Sequence, residues 1–210
     1  MKRRIGQLKN DSTLTLEHAV KCMLMPENKQ RDRAAEWLYK RYFGYLMAIS
    51  LRYVRHREDA EEVVNESFLK VFTHLSAFQG KGTVEQYEQL FKGWMARICV
   101  NAAIDYLRRE KNFASIDDED FSELKMPKAE ESGDLHVQDI YKLLTRLPQA
   151  QRMIFNLFEV EGYSHEEISV LLNIPEGTCR TYLMRAKQKL RTWYLEDFRM
   201  VESPNNNIIE

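Results

Sequence analysis

The chain has 210 residues, 44% of them apolar and 30% charged, enough to build a core and to exclude a wholly disordered protein. Eight glycines and five prolines are too few for a loop-rich all-β fold, and no apolar run approaches the roughly 18 residues of a membrane span. The 31 basic and 32 acidic side chains leave a net charge of −1, which by itself excludes no partner.

Residues 1–13 read as a basic arm with no apolar stretch behind it, unlike a secretory signal. Leu14–Met25 is a short apolar-rich segment stopped by Pro26. Over Arg31–Arg55, Ala35, Leu38, Tyr42, Tyr45, Leu46, Ile49 and Tyr53 recur at helical spacing and predict one long helix. A second helix is predicted over Glu58–Phe78, where Ala60, Val64, Phe68, Val71, Leu75 and Phe78 draw one apolar stripe. On its far side stand Asp59, Glu62, Asn65 and Glu66. A solvated acidic face and a docking surface both fit that arrangement. Gln79-Gly80-Lys81-Gly82 then breaks the helix, and Thr83–Phe91 is expected to add only a short helical turn before Gly93.

Trp94–Lys111 has the inverse pattern. Met95, Ala96, Cys99, Val100, Ala102, Ala103, Ile104, Tyr106 and Leu107 cover most of its circumference. A narrow strip holds Trp94, Arg97, Asn101, Asp105 and Arg108, with Arg109 beside it. A mostly buried helix with one polar stripe presents that stripe to something, although an Asp105–Arg109 pair and a core position for Trp94 are also open. The first block, residues 1–115, carries 20 basic and 14 acidic side chains; residues 116–140 carry 2 and 9. That acidic stretch, with Asp117-Asp118-Glu119-Asp120, Pro127 and Ser132-Gly133, has no sustained period and reads as a linker over 113–134.

In the second block, Leu147-Pro148 opens a helix through Val160, and Gly162 stops it. Ser164-His165-Glu166-Glu167 is a capping box for a short helix to Leu172. Asn173-Ile174-Pro175 is a turn, and Glu176-Gly177 begins a helix to about Phe198. Two helices joined by a tight turn, the second basic, form a helix-turn-helix pattern. Cys179, Tyr182, Leu183, Ala186 and Leu190 share the packed face. Arg180, Thr181, Met184, Arg185 and Gln188 share the outer one, with Lys187 and Arg191 at its margin. Long basic side chains mixed with short polar ones suit phosphate anchoring and the reading of base edges.

Taken together, these blocks resemble bacterial RNA polymerase sigma factors. Asp59 through Phe72 is similar to the region-two helix, and Trp94–Ile98 followed by Asn101–Arg109 is similar to the promoter-melting helix. Leu147-Pro148, Tyr163–Ile168, Glu176-Gly177-Thr178, Leu183, Arg185-Ala186 and Leu190 resemble region four. Having these regions and no others makes the chain similar to the small extracytoplasmic-function (ECF) group. The resemblance implies an all-α fold of two small domains, a region-two bundle over 14–112 and a region-four helix-turn-helix over 135–199, with a loose tail at 200–210.

It also implies roles. Asp59, Glu62, Asn65 and Glu66 would bind a coiled coil of the polymerase β′ subunit, Asn65 standing where the family often has glutamine. Arg97, Asn101, Arg108 and Arg109 would meet the −10 element, and Thr178, Arg180, Thr181, Met184, Arg185 and Gln188 the −35 element. Family members hold a flipped base in the loop before the melting helix, but here Gly80–Gly93 reads as a longer loop with an insertion around Tyr87-Glu88-Gln89-Leu90. The partners implied are core polymerase and promoter DNA, with an anti-sigma factor as a candidate third, and the free protein is expected to be a cytoplasmic monomer. Neither metal nor cofactor is expected, because Cys22, Cys99 and Cys179 lie far apart and the five histidines fall in no ligand or catalytic motif. A stand-alone regulator with a helix-turn-helix is the competing reading; an acidic face shaped for a polymerase coiled coil is what such a regulator would lack.

Overall fold

The computed structural model describes residues 14–25, 29–54, 56–109 and 142–199. The expected basic arm, acidic linker and loose tail lie outside them. Every regular element among the described residues is helical, in agreement with the all-α expectation: α1 Leu16–Leu24, α2 Arg31–Ser50, α3 Arg57–Thr73, a 3-10 turn Leu75–Ala77, α4 Val84–Arg109, α5 Gln149–Phe155, a π-helical turn Asn156–Val160, α6 His165–Leu172 and α7 Glu176–Arg199. Contacts divide the chain into two units, one made of residues up to 49 with 62–102, the other of 50–61 with residues from 103 onward.

In the first unit, α1 starts where the Thr15 hydroxyl accepts the His18 N–H at 3.3 Å. Its buried Leu16, Ala19, Val20 and Met23 form one stripe. The α2 residues Ala34, Leu38, Tyr42, Leu46 and Ile49 are each at most 1% exposed. Of the predicted stripe Leu38, Tyr42, Leu46 and Ile49 are buried, while Ala35 and Tyr45 are half-buried and Ala34 takes the first core position. Across from them lie Phe68, Val71, Leu75, Phe91, Met95 and Cys99. Tyr42 meets Phe91 edge-on at 5.5 Å, and the Cys99 thiol donates to the Leu46 carbonyl.

Arg41 pairs with Glu88 at 3.1 Å, and Lys92 reaches the same carboxylate at 3.2 Å. Partial burial opposes the Glu88 charge, yet the hydrogen bonds from Lys92 and Arg41 outweigh it and hold the carboxyl below its ordinary value.

Three boundaries differ from expectation, and one differs greatly. The first long helix, expected to reach Arg55, ends at Ser50. The second long helix ends at Thr73 and tightens into the 3-10 turn at Leu75–Ala77 instead of running to Phe78. The expected long loop Gly80–Gly93 is mostly helix: only 78–83 is irregular, and α4 runs unbroken for 26 residues through Gly93. The cause is aromatic packing. Phe78 lies 5.4 Å from Tyr87, 5.0 Å from Phe91 and 5.4 Å from Trp94, so the segment before Gly93 is held as helix despite the glycine. Gly80 is required there, since a Cβ would sit 2.4 Å from the Tyr87 ring. Trp94 joins this cluster but is half-buried, not a core residue in full.

In the second unit, Leu144, Leu147 and Ala186 form a core with Phe155, Leu190 and Trp193 packed against it. Arg146 caps that core from outside, stacked 4.5 Å over Trp193 and 3.2 Å from Asp197. Ile154, Leu157, Ile168 and Cys179 are fully buried between α5, α6 and α7.

Candidate functional site

Three surfaces carry the residues singled out from the sequence. The first is the outer side of α3. Val63, Val64, Ser67 and Phe68 are buried, so Glu62 and Asn65 are turned outward, with Asp59 and Glu66 half-buried at the margin. Glu66 pairs with Lys70 at 2.9 Å, one turn on. Two neighbours were not anticipated. Leu69 is 67% exposed, four residues beyond Asn65, an apolar side chain lying off the core stripe. Tyr39 of α2 donates its hydroxyl to Asn65 Oδ1 at 2.9 Å. Leu69 could have been noticed as an apolar residue out of phase with the helix; nothing in the local pattern points to Tyr39, 26 positions away.

The second surface is the polar strip of α4. Arg97 and Asn101 are exposed on a helix whose Met95, Cys99, Val100, Ala102 and Ala103 are buried. Further along, Arg108 and Arg109 are exposed within the second unit. Arg108 lies 3.6 Å from Asp105 and also donates to the Leu171 carbonyl. Asp105 thus pairs with Arg108, three residues apart, and the Arg109 guanidinium lies over the Tyr106 ring at 5.9 Å.

The third is the helix-turn-helix. Ser164 and Glu167 cap α6 reciprocally, as the sequence indicated. Asn173 takes the left-handed conformation at φ 52°, reversing the chain so that Pro175 can precede α7. On α7, Cys179, Leu183 and Ala186 are buried, and burial pushes the Cys179 thiol up. Arg180, Met184, Arg185 and Gln188 are exposed, with Thr178 and Thr181 half-buried beside them. Met184 is 62% exposed, so its position among the basic residues is a surface one. Arg180 pairs with Glu176, one turn toward the helix start. Lys187, also exposed, pairs with Glu159 at 2.6 Å and lies 5.8 Å from the Phe158 ring.

The observed turn and the two-sided α7 match the helix-turn-helix pattern expected from the sequence. The family model for Sigma-70 region 2 matches residues 38–113, and that for Sigma-70 region 4 matches 138–190. The ECF RNA polymerase sigma-E factor of Salmonella typhimurium LT2 is 30% identical over 174 residues, covering 77% of this chain and 87% of that protein. The chain belongs to the ECF group of RNA polymerase sigma factors. The Escherichia coli K12 sigma-E factor is similar at 29% identity over the same coverage, and the Pseudomonas aeruginosa RNA polymerase sigma-H factor at 25% over 75% of this chain and 84% of its own length. Among solved structures, the sigma factor RpoE in complex with the anti-sigma factor NepR from Bartonella quintana is similar at 22% identity and a TM-score of 0.47, covering 75% of this chain and 94% of that one. As a sigma factor this ECF member works with core RNA polymerase at promoters, in initiation of transcription. No helix among the described residues is long and apolar enough to cross a membrane.

Proposed function

We propose that this ECF sigma factor divides its work among the three surfaces. The block over 14–112 binds core polymerase through Asp59, Glu62, Asn65 and Glu66. It meets the −10 element through Arg97, Asn101, Arg108 and Arg109. The block over 135–199 reads the −35 element through Thr178, Arg180, Thr181, Met184, Arg185 and Gln188. The protein contributes recognition and strand opening, with no bond-making chemistry of its own, and acts inside the cell where polymerase and DNA are. The observation that carries the polymerase assignment is the exposure of Glu62 and Asn65 on a helix whose opposite face is fully buried. Acidic side chains on a fixed surface suit a basic partner, steering its approach as well as holding it. Reversing Glu62 and Glu66 to Lys together is expected to abolish capture by core polymerase while circular dichroism stays unchanged. Full capture by the double variant would remove this assignment.

A helix that reads an intact groove needs free access on one side, which α7 has. The Arg97 and Asn101 strip lies on a helix buried over most of its circumference, which cannot insert into a groove. It is therefore assigned to strands already opened, where bases are accessible away from the stack.

A further inference from the structure

Asn65 is the neutral member of the α3 face, and a surface asparagine ordinarily samples several rotamers. Here its carbonyl end is held. The Tyr39 hydroxyl donates to Asn65 Oδ1 at 2.9 Å. The Tyr39 ring is itself fixed: it lies 4.6 Å from Phe68, which is 2% exposed, and 5.3 Å from Phe43. Phe68 in turn contacts Phe72 at 5.7 Å, so the phenol is carried on an aromatic stack shared by α2 and α3. Holding Oδ1 leaves the NH2 end as what Asn65 can offer a partner. A donor fixed before binding loses less rotamer freedom when the partner arrives.

We infer that Tyr39 is a positioning residue for the polymerase-binding face, orienting the Asn65 amide so that it donates to a hydrogen-bond acceptor on the polymerase. The inference rests on the assignment of the α3 face to polymerase, and it adds a residue on another helix and a direction to the contact. Tyr39 acts through Asn65 and need not touch the partner.

Tyr39→Phe removes the hydroxyl and keeps the ring stack, so a double-mutant cycle with Asn65→Ala isolates the bond. Affinity of the full chain for core polymerase is measured for wild type, Tyr39→Phe, Asn65→Ala and the double variant, alongside thermal melting. Tyr39→Phe is expected to weaken binding about three- to tenfold, the worth of one net hydrogen bond, without lowering the melting temperature in proportion. In the Asn65→Ala background the same change is expected to have no further effect. An equal loss in both backgrounds would mean that Tyr39 acts through packing, and the inference would fall. Unchanged affinity of Tyr39→Phe, while the Glu62→Lys/Glu66→Lys variant loses binding, would overturn the positioning role alone. If that double reversal also binds normally, the face itself has been misassigned and the inference goes with it.

Discussion

The Ser164 hydroxyl accepts the Glu167 N–H at 3.1 Å while the Glu167 carboxylate accepts the Ser164 N–H at 2.7 Å. Two backbone donors that would otherwise lack partners at the start of α6 are satisfied by one reciprocal pair. Ser164→Ala should therefore destabilise the protein by about 1 kcal/mol. The loss should appear in chemical denaturation, while duplex binding at temperatures well below the transition stays close to wild type. A variant as stable as wild type would show that the cap contributes nothing.

The turn after α6 gives a second test. Asn173 at φ 52° lies where a side chain with Cβ is disfavoured by about 1–2 kcal/mol. Asn tolerates this region better than most residues, and Gly better still. Asn173→Gly should hold or raise stability, whereas Asn173→Val should lower it and weaken −35 duplex binding by tilting α6 against α7. Equal melting of the Gly and Val variants would contradict the argument.

The assignment of α7 to duplex reading and the α4 strip to opened strands predicts defects at different steps. Arg180→Ala or Arg185→Ala should weaken closed-complex formation about ten- to a hundredfold and relax upstream sequence preference. Asn101→Ala should leave closed-complex affinity nearly unchanged and reduce permanganate reactivity of unpaired thymines. A pre-melted template should restore opening to the Asn101 variant and leave the Arg180 defect in place. Failure of both variants at one step would end this division.

Glu88 makes stability depend on pH in a definite direction. Its carboxyl lies below the ordinary value in the folded state, so its stabilisation is present above the unfolded-state pKa near 4.5 and is lost as pH falls through the folded-state value. Glu88→Gln should lower the melting temperature at pH 7 modestly, since a partly exposed pair contributes about 1 kcal/mol or less. The gap between variant and wild type should close as pH falls through the folded-state value. A gap that is constant across pH would assign the effect to packing instead.

The fold could be read off the chain wherever one periodic face decided the matter. The stripe of Ala34 through Ile49 is near its prediction, and so is the separation on α7 of buried Cys179, Leu183 and Ala186 from exposed Arg180, Met184 and Arg185. Ser164 and Glu167 form a local cap whose spacing is its own signature. Gly93 misleads, because a breaker residue reports only its own preference. Gly80 and Gly82, the latter at φ +117°, do mark the break, whereas Gly93 sits inside a helix whose Tyr87, Phe91 and Trp94 pack on Phe78 outside it. The Tyr39–Asn65 bond belongs to the same class: it joins two helices, and no spacing rule along one chain encodes it.

The unbroken α4, about 39 Å long at 1.5 Å per residue, has a bearing on how this part of the protein can change in length. A loop ahead of Gly93 would absorb one residue more or fewer without disturbing its surroundings. A helix cannot, because each residue turns the axis by about 100°. One insertion between Phe91 and Gly93 would swing Tyr87 and Phe91 away from Phe78 while leaving Trp94 and Arg97 where they are. Length here is quantised: only whole turns, three or four residues at a time, keep the rings in phase.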